Sequence, residues 1–428
     1  MVNEPVITVT KANDIDIVDD SASTTEFLPA PDDDIGIALK PILFGNVKAG
    51  EATIEQEYHI WNNIDGDEEG GVDLGIAYNL SVTASTLRGQ NAGGTIKEGK
   101  EVVELREILV IDVSGGGTVY KAVGGLITLT LGDLRGDKLA TPGIPTGTAG
   151  HESGGEVLPG TYYLCVSATD ETGETEAGSE SAGVTISPLD SQTDQDGESE
   201  TLDNTTNTRI GWKKAGIGTF INGLQVLQSA GGTLEGTLRL ETDNSGSPSG
   251  TLVNENAEKT GISFQDAIKT SILWNNEQSW TDGTTYWFVF VITAGTGKLK
   301  GKATGTNHNV KIYTNGSWQD SSTIYELYAI LIGNNKIDWD WADVDYAQTY
   351  KAFRTETSQS YGAESLLIAG LNSSGYEDKK CDTVEGTPLE EGTVTRKHKK
   401  VIKAKVAADS TSHKENVEFN LEFRYNLT

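Results

Sequence analysis

IDWDWADVDYAQTYKAFR, residues 337–354, is the stretch on which the fold turns. Trp339 and Trp341 fall in step, and Val344, Ala347 and Tyr350 follow before the block closes on Arg354. Alternating large apolar residues around a short polar turn read as two strands, with these side chains as core and turn residues and not as a binding face. A single hairpin does not hold itself folded in water, so the partner strands must be sought elsewhere in the chain.

The surroundings agree with a β reading. Glycine is abundant, methionine occurs once, and β-branched and aromatic residues come in short runs separated by Gly, Asn, Asp and Ser. That is the composition of short strands and tight turns, and the expected class is all-β, built of several sandwich domains. A chain of 428 residues has room for more than one core. Its formal net charge of −30 repels phosphate and anionic lipid, which argues against a nucleic-acid or membrane partner. The one concentrated basic run, Arg396 to Lys400 with Lys403 and Lys405 beyond it, reads as the solvated face of a strand pair, with docking onto an acidic partner as the alternative. The opening MVNEPVITV has neither a basic n-region nor an apolar h-region, so no export signal is expected. Cys165 and Cys381 are too few for a disulfide framework.

Along the chain, residues 1–34 are acidic and rich in Ser, Thr and Pro, and read as an extended arm. From Ile35 a series of short strands follows, with Ile54, Tyr58 and Ile60 on alternating positions. ATPGIPTGTAG, 140–150, brings Pro and Gly together as a boundary. In the next strand Tyr162, Leu164, Val166 and Ala168 share one face, and Tyr163, Cys165 and Ser167 the other, where Cys165 reads as a strand-surface residue. The tail alternates Val417, Phe419, Leu421, Phe423 and Tyr425, a half-buried strand too small to stand alone.

Three resemblances order these pieces. PTGT (145–148), LPGTYYLCVSATDETGE and the block from Trp341 to Arg354 resemble fibronectin type III domains of the kind embedded in phage and bacterial surface proteins, with Tyr376 and Asp378 as the closing element. Between the two halves, IGWKKAGIGTFINGLQVLQ, the SGSPSGTLV turn, TDGTTYWFVFVITAG and the NGSW hairpin resemble a jelly-roll module of anchor and surface proteins. ILFGNVKAG, HIWNN and VEFNLEFRY resemble the opening and closing strands of a domain in structural proteins of tailed phages. Together they imply a nested chain: an arm over 1–34, an outer sandwich over 35–136 with 387–428, a fibronectin-like domain over 137–190 with 333–386, and an inserted jelly roll over 191–332. Neighbouring strand ends of a sandwich lie close enough to accept such insertions.

Candidate sites are sparse. DGDEEGGVDLGI (65–76) places Asp65, Asp67, Glu69 and Asp73 at positions 1, 3, 5 and 9 of a calcium-type loop, with Gly70 at the turn, but Ile76 stands where a bidentate Glu is needed. An acidic hairpin turn is the competing reading, and calcium is the one cofactor under consideration. DQDGESE (194–200) reads as a second calcium candidate or a solvated spacer. GTIKEGKE (94–101) falls one residue short of a phosphate loop and lacks a βαβ context. Histidines are dispersed and no Gly-x-Ser-x-Gly elbow occurs, so no enzyme is expected. Trp280, Trp287 and Trp318 are candidates for stacking on a glycan, with core packing as the alternative.

The resemblances imply a non-enzymatic structural protein of a tailed-phage virion, in the tail, baseplate or fibre or as a capsid decoration, made in the host cytoplasm. Its implied partners are other virion proteins, further copies of itself and a host-surface glycan. The alternative is a carbohydrate-binding adhesion protein of a phage or bacterial surface.

Overall fold

The computed structural model describes residues 4–11, 27–29, 34–38, 56–68, 70–86, 96–98, 101–103, 107–113, 117–122, 127–357, 364–408 and 419–426. ILFGNVKAG, Ile54, Glu69 and Val417 lie outside them. Every regular element among the described residues is a strand, and the ladders with a described register are antiparallel, so the protein is all-β. No described helix is long and apolar enough to cross a membrane. The chain divides into two units, residues 1–140 with 169–175 and 391–428, and residues 141–168 with 176–390.

The first unit has two five-stranded sheets. One runs Ile7–Lys11, Gln56–Asn62, His398–Ala408, Glu107–Val113, Gly117–Ala122; the other runs Ile127–Gly136, Leu74–Thr86, Phe419–Asn426, Asp34–Ala38, Phe27–Pro29. Each C-terminal strand is therefore central in its sheet. Residues read as an arm supply strands instead: Ile7 pairs with Asn62 and is buried, because VITVTK alternates like any half-buried strand. Ile96–Glu98 pairs with Glu101–Val103, so the lysine-bearing GTIKEGKE stretch holds a two-stranded ladder.

Asn62 and Asn63 of the HIWNN strand tie this unit together. Fully buried Asn62 accepts from Val6 N at 3.1 Å and donates to Gly75 O at 2.9 Å and Leu134 O at 3.0 Å. Asn63, in the left-handed region at φ 60°, donates to Val72 O and Gly136 O. Asparagine tolerates that conformation, and its two donors satisfy carbonyls that bulged strand ends leave unpaired.

The second unit carries two sandwich-like pairs of sheets. A three-stranded sheet, Thr146–His151, Asn335–Asp340, Gly375–Asp378, accompanies a four-stranded one, Val184–Ile186, Gly160–Thr169, Thr349–Thr355, Ser365–Leu371. Tyr162, Leu164 and Val166 are buried, as are Trp339, Trp341 and Tyr350 of the opening block. Cys165 is buried as well, against Ala177, Phe353 and Leu366, and is not a strand-surface residue. Residues 178–181 cover its face, with Gly178 N bonded to Val166 O and Ser181 N to Leu164 O.

Between these halves lies the jelly-roll-like stretch. A seven-stranded sheet, in which Asn207–Ala215 and Glu235–Asp243 flank Thr285–Ala294, sits with a four-stranded sheet made of Asp190–Gln192, Ala329–Ile332, Thr219–Leu227 and Lys269–Trp280. One large apolar cluster includes side chains of both. Phe288 is its centre, with the rings of Trp212, Trp274 and Trp280 at 5.6, 6.2 and 6.3 Å. Alternation along TYWFVFVITA sends Tyr286, Phe288, Phe290 and Ile292 into this cluster and turns Trp287 to the other face.

Candidate functional site

The acidic loop at 65–73 already contains a cation. Arg396 Nε lies 2.7 Å from Asp73 Oδ1, its backbone N donates to Asp67 Oδ1 at 3.1 Å, and its Nη1 reaches Gly66 O. The carbonyl of Asp65 accepts from Glu68 N in an ordinary turn, and Asp65, Asp67 and Asp73 are all exposed. A guanidinium fixed among the carboxylates supplies the charge that calcium would bring and opposes a second cation. This arrangement is the one the acidic hairpin reading expects, with the loop clasped by the basic run; Glu69 lies outside the described residues.

That run is not a uniform solvated face. Arg396 is committed to the loop, His398 is buried, and Lys399 lies over the Trp61 ring at 5.0 Å. DQDGESE is likewise no free spacer. Gly197 and Glu198 pair with Gly301 and Lys300, Glu198 meets Lys300 at 2.8 Å, and Asp194 meets Lys302 at 3.1 Å. Opposite charges across the ladder hold the segment down.

Asp170, Glu171 and His398 form a second polar cluster within the first unit. His398 Nε2 lies 2.9 Å from the carbonyl of Asp137, which can only accept, so this nitrogen carries a proton. Nδ1 lies 2.8 Å from Glu171 Oε1. The hydrogen bond from His398 outweighs burial and holds the Glu171 carboxyl down to about 2. Arg135 bridges Asp170 at 3.2 Å and Asp137 at 3.0 Å, and Asp170 Oδ1 also accepts from Thr172 and Gly173. Both imidazole nitrogens and the Asp170 carboxylate are engaged, and a guanidinium borders the group, so its donors fit a structural fastening and not a metal.

Of the three tryptophans expected to meet a glycan, two do not. Trp280 and Trp287 are fully buried. Trp280 packs on Phe288 in the core, and Trp287 lies on the outer face of the seven-stranded sheet with its Nε1 donating to Asp243 at 2.7 Å. The cover over Trp287 is visible from Gly211, whose missing side chain leaves space that Pro248, Trp287 and Trp318 close; a Cβ there would meet them at 3.0, 3.2 and 3.4 Å.

Trp318 alone stays half-exposed, on the edge strand Ser317–Asp320. Its hairpin turns through Asn315 and Gly316, both with positive φ, and pairs Trp318 with Tyr313, ring centroids 5.3 Å apart. Arg209 lies over the Tyr313 ring at 5.1 Å, and Lys213 lies 6.0 Å from the centroid of Trp287. Lys311 and Asp320 bond at 2.6 Å beside them. Sequence reasoning missed Arg209, Lys213 and Tyr313, although their spacing in NTRIGWKKA and VKIYT puts them on one face once both segments are strands.

No protein-family profile matches the chain, and no curated protein matches it. Among solved structures it is similar to the infectious bursal disease virus VP2 subviral particle, at 11% identity and a TM-score of 0.14, over 99% of this chain and 80% of that one. The T13 particle of the same virus gives 10% identity and 0.13 over 99% and 78%, and the structure of its Gt strain 12% and 0.14 over 99% and 81%. At these scores the likeness carries no argument about arrangement or role.

Proposed function

We propose that this chain is a non-enzymatic structural component of a virus particle, specifically of a tailed-phage virion. The first unit would hold it to other virion proteins and the second would be displayed. What carries the reading is the place of the segments that resemble the phage domain. HIWNN supplies the asparagine hub of the first unit, and Phe419–Asn426, from VEFNLEFRY, lies between Leu74–Thr86 and Asp34–Ala38. Two of the three residue sets on which the resemblance rests, HIWNN and VEFNLEFRY, are thus among those that close this unit; ILFGNVKAG lies outside the described residues.

A non-enzymatic role is supported by the state of the two thiols. Burial pushes the Cys165 thiol up to about 12 and the Cys381 thiol up to about 11, away from the thiolate a nucleophile needs. Further copies of this chain, with no metal cofactor, nucleic acid or lipid, complete the proposed partners. The test is an antibody against the full chain, applied to particles banded from the source culture. Co-banding with labelling on the particle is expected; a chain left in the soluble fraction sinks the proposal. Adhesion to a host-surface glycan is a second reading, favoured by the half-exposed Trp318 near cations that meet no carboxylate among the described residues.

A further inference from the structure

We infer that the outer face of the seven-stranded sheet is a binding site for an anionic saccharide, with Trp318 and Tyr313 as its platform and Arg209 and Lys213 as its charge-reading groups. This deepens the adhesion reading and does not depend on the virion reading.

The observation is one of unbalanced charge. In a chain of net charge −30 many described cations have carboxylates: Lys300 and Lys302 meet Glu198 and Asp194, Lys336 meets Glu152 and Glu377, Arg354 meets Asp378. Arg209 and Lys213 are half-buried, and among the described residues neither has a carboxylate within ion-pair distance. Each instead lies by an aromatic ring. A cation so placed is partly desolvated and keeps unused donors, which a carboxylate or phosphate would fill.

Geometry makes the two act together. Arg209, Gly211 and Lys213 alternate onto the same face of one strand, which places the Cα atoms of the two cations about 13 Å apart along it. At Gly211, between them, the absent side chain leaves room that the edge of Trp318 fills together with Pro248 and Trp287, so the indole edge lies between the two positions. Tyr313, opposite both Arg209 and Trp318 in the ladder, extends the aromatic surface. Lys311 pairs with Asp320 at 2.6 Å and, with Lys213 adding to the effect, holds its carboxyl ionised below the usual range, so the Asp320 charge is offset by Lys311. A flat ring flanked by cations suits the apolar C–H face of a sugar that also carries negative charge. A neutral glycan would use the ring and leave the cations idle.

The test uses the purified full chain with three immobilised probes: oligogalacturonate as the carboxylate source, phosphorylated oligomannose as the phosphate source, and neutral mannan. Binding to one or both anionic probes is expected, weakening as salt rises. Trp318→Ala, and separately Arg209→Gln with Lys213→Gln, should each weaken it at least about tenfold, the scale of one stacking or charge-assisted contact. Should Trp318→Ala lower the thermal transition, the double Gln variant, which keeps both rings, decides the matter. Equal binding to mannan, no binding to any probe, or binding unchanged in the double Gln variant overturns the site. Particle membership is read on particles and saccharide binding on the free chain, so either reading can fail alone.

Discussion

Arg354 Nη1 lies 2.7 Å from Asp378 Oδ2, with both side chains almost completely buried. The last residue of the tryptophan block is thereby joined to the YED element that follows it. The same guanidinium donates to Lys380 O and Cys381 O and lies 4.9 Å from the centroid of the Tyr162 ring, so its fork is filled. Asp378→Asn leaves a buried cation without its counter-charge, and should cost about 3–5 kcal/mol in urea unfolding of the second unit. Arg354→Lys cannot reach both carbonyls and should be destabilising as well. Unchanged midpoints for both would show the pair to be incidental.

Gly147 of PTGT pairs with Trp339, and a Cβ there would lie 2.4 Å from Trp339 Cζ3 and 2.6 Å from Val184 Cγ2. Glycine is needed because the indole of the opening block packs flat against the neighbouring strand. Gly147→Ala should therefore cost about 1–3 kcal/mol by overpacking, although alanine suits a strand no worse than glycine. A thermal transition equal to that of the native chain would contradict this packing.

What the sequence made legible follows from periodicity. Two-residue alternation in TYWFVF, IDWDW and YYLCVSA is enough to define strands, and the Asn-Gly pair is enough to place the NGSW hairpin. Alternation does not say what covers the second face. Trp287 is one residue out of phase with Phe288 and belongs on the exposed side, yet Pro248 and Trp318 bury it. The cation beside the acidic loop was hidden for a related reason: Arg396 is separated from Asp73 by 323 positions. Likewise the His398 fastening gathers Arg135, Asp137, Asp170 and Glu171 from segments that only tertiary structure brings together.

Glu171 should make the first unit sensitive to acid. Its carboxyl lies at about 2 in the folded protein, against an ordinary value of 4.5, first because His398 hydrogen-bonds it. A depressed carboxyl contributes stability that is complete above 4.5 and is lost as pH falls from there toward 2. Glu171→Gln should lower the transition temperature near neutrality and flatten its fall across that acid window. A variant profile parallel to that of the native chain would exclude Glu171 as a source of the acid dependence.

The two thiols should differ in access. Cys165 is 2% exposed and Cys381 is partly exposed. With the Cys381 thiol raised from 9.0 to about 11, chiefly by burial and then by Asp382, its thiolate fraction at pH 8 falls about a hundredfold, tenfold for each unit. A disulfide reagent should therefore label native protein slowly at Cys381 alone, with Cys165 reacting only after denaturation. Rapid labelling of Cys165 in the native chain would mean that residues 176–181 open readily.

Excision tests the nesting directly. Leu189 N bonds to Leu331 O at 3.0 Å and Asp190 pairs with Leu331, so the chain enters and leaves the 191–332 stretch at adjacent points of one ladder. Replacing 191–332 by a short Gly/Ser bridge spans that gap without stretching either flank, and loop closure over a few residues costs little. The Asn222 donation to Gly155 O is lost with the stretch, removing about 1 kcal/mol. A cooperatively unfolding protein with β-type circular dichroism is expected from the excised chain. Ending the chain at residue 386 should abolish folding of the first unit, because His398–Ala408 and Phe419–Asn426 each lie between two strands of its sheets and their removal leaves four ladders unpaired. A folded first unit in the truncated chain, or an unfolded excised chain, would refute the nested arrangement.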